Sequence, residues 1–251
     1  MKQVLIEKND EYAILTLNRP EKMNAVSKQM TKELYEAILS LKEEDLKFLV
    51  VTGAGDHAFC AGGDLNEHHG EMVAEEAYDI LHSMKEVLYE LATFPVPTFA
   101  LLNGQARGGG CEIATACDFR YGLESASYGF VQGNLGITPG WGGGTLLYRR
   151  IKSDYAAHWL MDAEMYSADQ VYRIGWLHKK ITVNWSVEEL FPSFLNKTSE
   201  QMRVFKQQYL KHLDGDRLSQ QMDQEVQQCS LLWESDEHKE AVRKFAAKRK
   251  R

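Results

Sequence analysis

Residues 61–63 read AGG, residues 108–110 read GGG, and Glu112 stands two positions beyond the second cluster, at the head of the apolar run CEIATAC. Glycines in such a place let peptide N–H groups approach a ligand with no side chain between, and a helix N-terminus adds a dipole that favours negative charge. The GxGxxG spacing is broken and no GK[ST] follows, so the clusters do not read as a nucleotide fingerprint. Two loops on adjacent strands, each aiming one N–H at the same oxygen, would stabilise an oxyanion or enolate by about 2.7–4 kcal/mol per donor. Glu112 has two readings: a first-turn acid favoured by the helix dipole, or a carboxyl that handles protons beside those donors. Asn66, His68 and His69 follow the first cluster, as substrate contacts or as solvated loop residues. His158, within a helical pattern, reads as structural.

The elements that must position these residues follow from periodicity. VLIEK and YAILTLN, around Asn9-Asp10, predict a hairpin at a sheet edge. Ser27 caps a helix whose inner face is Met30, Leu34, Ala37, Ile38 and Leu41. Phe48 to Thr52 reads as a buried strand, residues 72–92 as a helix, and Val96 to Leu102 as the next buried strand. This alternation predicts an α/β fold with a parallel sheet and ligands at the carboxyl ends of its strands, where both glycine clusters fall. Beyond about Ser153 strand signals nearly vanish. The segments 154–161, 167–173, 198–211, 217–232 and 236–249 read as helices packed on the core or on a neighbouring subunit.

With 251 residues, 44% hydrophobic and 26% charged, the chain has the composition of a globular protein with a sizeable core. A net charge of -7 argues against a nucleic-acid partner. The basic run Lys248 to Arg251 is the solvated end of a helix. Cys60, Cys111, Cys117 and Cys229 form no CxxC pair and lack histidine neighbours, which leaves reduced, buried thiols and no metal as the expectation. No apolar run reaches the ~18 residues of a membrane helix and the start lacks a signal-like h-region, so the expected location is cytoplasmic, with no membrane partner.

Six segments in order, NRPEKMNAVS (18–27), FCAGGDL (59–65), NGQARGGGCE (103–112), CDFR (117–120), LGITPGWGGG (135–144) and the final helix SDEHKEAVRKFAAKRK, resemble the enoyl-CoA hydratase/isomerase, or crotonase, superfamily. The resemblance implies a crotonase-like spiral of ββα units over residues 1–195 and a C-terminal helical trimerisation region over 196–251. It also implies a homotrimer or homohexamer, and an acyl-CoA thioester as substrate, with coenzyme A part of the substrate and no other cofactor. Carried onto this chain, the oxyanion hole falls on the N–H groups of Gly63 and Gly109. The CoA-gripping segments fall on Lys22, Met23 and Ala25 and on Ala61, Gly62, Asp64 and Leu65. Lys248 has a second reading beside the solvated helix end, as a contact to CoA phosphates from another subunit.

In the same pattern Glu112 matches the first catalytic glutamate of hydratases, and the second, twenty residues on, is Gln132. An amide orients water or a carboxylate but neither gives nor takes a proton at neutral pH. The departure puts two-glutamate hydration in doubt, and with it an isomerisation that needs a carboxylate at 132. The enolate machinery with one acid at Glu112 suits decarboxylation of an alkylmalonyl-CoA, because loss of CO₂ makes the enolate without a general base. The tract from GGGCE to LGITPGWGGG also resembles family members with that activity, with Trp141 walling the acyl pocket or simply packing. The alternative is an acyl-CoA-binding member without turnover.

Overall fold

In the computed structural model, which describes residues 2–64, 67, 72–183, 185–213 and 215–249, the predicted hairpin forms from β1 (Val4–Lys8) and β2 (Tyr12–Leu17). Ser27 Oγ accepts the Met30 N–H at 3.0 Å and starts α1 (Lys28–Lys42), whose inner face is the predicted one, extended by Thr31. The strand β3 (Phe48–Gly53) is buried at every residue because both faces of the sheet are covered, which is why its sequence runs apolar rather than alternating. After the short β4 (Ala58–Cys60), α2 (Ala74–Ala92) follows. Next come β5 (Thr98–Leu102), β6 (Gln105–Arg107), α3 (Gly109–Ala116), β7 (Phe119–Leu123) and β8 (Ser127–Gly129). A 3₁₀ turn at Val131–Leu135 then leads to α4 (Gly143–Arg150) and α5 (Ser153–Asp162).

Each turn of this spiral sends one strand to each of two sheets. One sheet has the order β1-β2-β3-β5-β7-β10 and is parallel from β2 onward; the other has the order β4-β6-β8-β9. This ββα repeat is the crotonase-like α/β architecture expected. It also corrects the placement of the glycines. They do not leave the long strands directly but follow the three-residue strands β4 and β6, which pair in parallel with each other. The expectation that strands stop near residue 153 is corrected too: β9 (Tyr166–Ser167) pairs with β8 in the second sheet, and β10 (Lys179–Ile181) closes the edge of the first. Such short strands carry too few residues for a period-2 signal.

The remaining helices are α6 (Ala168–Arg173), α7 (Val187–Leu190), α8 (Pro192–Leu195), α9 (Ser199–His212), α10 (Gly215–Trp233) and α11 (Asp236–Arg249). Phe191 and Phe194, around α8, pack on Phe48 and Phe99 and cover the outer face of the first sheet. On the inner face, Met222, Val226, Cys229 and Trp233 of α10 join the main core beside α2 and α4.

The helix α9 is fastened by charge. Lys206, 2% exposed, sets its Nζ 2.6 and 2.5 Å from the two oxygens of Asp118 and also donates to the Ala92 carbonyl. Asp118 further accepts the Thr98 N–H at 2.9 Å and an Arg150 nitrogen at 3.3 Å. Arg120, also buried, spends its guanidinium on the carbonyls of Trp176, Ala114, Cys117 and Asp118. The four cysteines are free and buried, as read from the sequence, and burial pushes the Cys60 and Cys117 thiols up to about 12. Among the described residues no helix is long and apolar enough to cross a membrane.

Candidate active site

The strand β6 delivers the chain to Gly108, whose φ of 51° lies in the left-handed region where a side chain is strained, and this turn opens α3. Every residue of α3 is buried. The helix fits only because its first turn is bare: a Cβ on Gly110 would stand 2.2 Å from the Cys60 carbonyl at the end of β4, and one on Gly109 would stand 2.1 Å from the Trp141 ring. The two glycine loops therefore touch. A Cβ on Gly62 would lie 3.2 Å from the Gly109 nitrogen. Among the described residues neither the Gly63 nor the Gly109 N–H has a hydrogen-bond acceptor.

The segment 22–27 runs alongside this loop. Val26 bridges Gly63 in parallel fashion, donating to the Gly62 carbonyl and accepting from the Asp64 N–H, both at 2.8 Å, while the Ala61 N–H reaches the Met23 carbonyl at 3.0 Å. The two segments assigned to CoA are thus one surface, with Lys22 and Met23 exposed at its rim and Ala25 and Ala61 half-buried. Asp64 is buried, and its carboxylate takes an Arg19 nitrogen at 2.9 Å; Arg19 also donates to the Ala25 carbonyl. Asp64 therefore clamps the two segments together. Leu65, Asn66, His68 and His69 lie outside the described residues, as does the side chain of Lys248. His158 is exposed on α5 and pairs with Asp162 and Tyr166.

Glu112, 2% exposed, lies one turn into α3. Its Oε2 accepts the N–H groups of Trp141 at 2.9 Å and Gly143 at 3.0 Å, and its Oε1 accepts the Gln132 Nε2 at 2.9 Å. The twenty-residue spacing thus closes into a direct contact, with Gln132 carried by the 3₁₀ turn after β8. The Gln132 amide lies over Gly108, 3.6–3.8 Å from where a Cβ would be, and its Oε1 is buried without a hydrogen-bond partner. Burial, then the charge of Glu225, pushes the Glu112 carboxyl up to about 8. Trp141 is 6% exposed, with its ring against Gly109.

Glu225 on α10 is the group that sequence reasoning missed. Its carboxylate accepts the N–H groups of Gly142, Gly144 and Thr145. The available signal was a charge three residues after Met222, on the face of α10 that carries Leu218, Met222, Val226 and Cys229 into the core. One further cluster, His82, Glu86 and Asp223, has the composition of a metal site, but the Lys85 ammonium stands 2.9 Å from both of those carboxylates and serves as their cation.

Parallel β4 and β6 thus bring two glycine loops into contact, with the N–H groups of Gly63 and Gly109 lacking acceptors among the described residues and the buried Glu112 carboxyl beside them. The chain belongs to the enoyl-CoA hydratase/isomerase family, whose model matches residues 7–251. It is similar to a crotonyl-CoA hydratase of Syntrophomonas wolfei, 31% identical over 98% of this chain and 96% of that protein. An ethylmalonyl-CoA decarboxylase of Gallus gallus is 35% identical over 68% of this chain and 57% of that protein. In fold, the chain resembles the crystal structure of an enoyl-CoA hydratase from Bacillus halodurans, with a TM-score of 0.87 at 24% identity over 96% of this chain and 99% of that one.

Proposed function

We propose that the chain is an acyl-CoA enzyme that holds a thioester enolate between the N–H groups of Gly63 and Gly109, and that its reaction is decarboxylation of an alkylmalonyl-CoA. The observation that carries this reading is the amide at Gln132 bonded to a Glu112 carboxyl pushed up to about 8: the centre offers one acid, protonated at neutral pH, with an amide rather than a second carboxylate bonded to it. A malonyl-type substrate brings its own carboxylate. Its carbon–carbon bond breaks, CO₂ departs, and the electron pair passes to the thioester oxygen, where the two N–H groups stabilise it. Glu112 then gives its proton to the α-carbon and recovers one from water. Trp141 walls the acyl group, and Lys22, Met23, Ala25, Ala61, Gly62, Asp64 and Leu65 form the CoA-binding surface. The similarity to an ethylmalonyl-CoA decarboxylase supports this reading.

Hydration is the second reading, favoured by the crotonyl-CoA hydratase that matches 98% of the chain. In that case Glu112 gives its proton to the α-carbon and takes one back from the attacking water as its oxygen bonds to the β-carbon, while the unpartnered Gln132 Oε1 accepts a hydrogen bond from that water. The readings separate when purified protein is offered ethylmalonyl-CoA and crotonyl-CoA in parallel. Release of CO₂ is the expected result, whereas water addition without CO₂ release would replace the first reading with the second. Binding of both thioesters with turnover of neither would indicate an acyl-CoA-binding member.

Gln132→Glu provides a second test. A carboxylate there repels the substrate carboxylate and supplies the missing hydration partner. Decarboxylation is expected to fall and hydration of crotonyl-CoA to appear, both measured on the same preparation. For the assembly, a homotrimer or homohexamer formed through residues 196–251, located in the cytoplasm, is the arrangement we infer from the resemblance; sedimentation of the purified protein tests the assembly.

A further inference from the structure

Five successive N–H groups, from Trp141 to Thr145, open α4, and two carboxylates divide them. Glu112 on α3 takes those of 141 and 143; Glu225 on α10 takes 142 and 144 with one oxygen, at 3.0 and 3.2 Å, and 145 with the other, at 2.5 Å. The glycine run 142–144 exists for this approach. A Cβ on Gly143 would lie 2.3 Å from Glu112 Cγ, and one on Gly142 would lie 2.3 Å from the Met222 methyl group. We propose that Glu225 is a positioning residue that holds the permanent negative charge at the α4 N-terminus, so that Glu112 keeps the proton and remains an acid.

The physical argument is competition for one helix end. The dipole and its free N–H groups favour an anion there, but two carboxylates sharing a buried site cannot both ionise freely. Glu225 receives three backbone donors, whereas Glu112 receives two and a side-chain amide that is able to turn its oxygen toward a carboxylic O–H. The charge therefore settles on Glu225. Gln132 Oε1, buried and without a donor, lies beside the Glu112 oxygen that would carry the proton. Burial raises both carboxyls, and the Glu225 charge raises Glu112 further.

Among the described residues, the other titratable groups packed around the pair have the following partners. Cys111 on α3 and Cys229 on α10 are thiols pushed up by burial and stay neutral. Arg149, in the last turn of α4, donates to the Leu213 carbonyl and to Gln221. Asp223 on α10 is joined to Lys85 and His82 of α2, with Glu86 alongside.

The proposal refines the acid role given to Glu112 above, so its test is carried out on ligand-free protein, where the identity of the substrate does not enter. The infrared band of a protonated carboxyl is followed against pH. In Glu225→Gln the Glu112 midpoint should fall by about one pH unit or more, a tenfold change in proton affinity. In Glu225→Asp, which keeps the charge, it should stay near the native value. Equal midpoints in all three proteins would overturn the proposal and leave Glu225 as a helix cap only. Glu112→Gln supplies a check that does not depend on how α10 variants fold: at pH 7 the band should vanish, because Glu225 is ionised. A band that persists would place the proton on Glu225 and reverse the assignment.

Discussion

Glu112→Gln lowers turnover by ~10² or more while leaving acyl-CoA affinity largely intact. The substitution is nearly isosteric. One amide atom, the oxygen, can still accept the Trp141 and Gly143 N–H groups, and the amide nitrogen then faces Gln132, whose unpartnered Oε1 becomes its acceptor once that amide turns over. The helix and the CoA surface therefore survive, and what disappears is the proton. Single-turnover kinetics with an acyl-CoA, paired with equilibrium binding of the product thioester, make the measurement; turnover within a few-fold of the native enzyme would move Glu112 to a structural role.

The pH behaviour follows with a definite sign. The Glu112 carboxyl stands near 8 in the folded protein against an ordinary value of 4.5, so between these limits the folded form holds a proton that the unfolded chain has released. Stability therefore falls as pH rises from about 4.5 to about 8. Activity that needs the acid form is kept below that upper limit and lost above it. In Glu112→Gln the stability slope should be shallower, as read from urea midpoints across the range.

Asp118→Ala has the largest expected effect on stability, about 3–5 kcal/mol, because it removes a buried carboxylate from a group of buried cations. Lys206 would lose both of its short contacts and Arg150 one of its partners, with Arg120 close by and the Thr98 N–H left without its acceptor. Lys206 is already held below its ordinary value by burial, which shows how little the site tolerates further loss of negative charge. Urea denaturation measures the loss, and hydrogen exchange should show α9 opening first, since Lys206 is its inner anchor. Combining the change with Lys206→Met removes a cation as well as the anion and should recover part of the stability; a cost equal to or larger than that of the single variant would refute the charge argument.

The parts of this fold that the sequence made legible are those with long periodic signals. The inner face of α1, the helix α2, the fully buried β3 and the hairpin of β1 and β2 fall where periodicity placed them, because the helices and β3 bury a continuous stripe or strand and β2 alternates. The second sheet did not announce itself. Its strands β4, β6 and β8 have three residues each, and their place is set by pairing partners far along the chain rather than by local pattern. At the site, the glycine loops and Glu112 were readable because bare backbone and a lone acid are unusual at the head of an apolar helix. Pairing of Gln132 with Glu112 came from the family spacing. Glu225, 113 positions after Glu112, reaches the same helix end only through the packing of α10, and no local pattern encodes that distance.

The alternating division of the α4 N-terminus means that the strength of the acid is adjustable from a helix that forms no part of the glycine loops. Replacing Glu225 would then shift the working pH window while leaving the two glycine loops as they are. Proton affinity and the glycine loops are thereby written in separate stretches of the chain, joined through the segment 141–145 that both carboxylates hold.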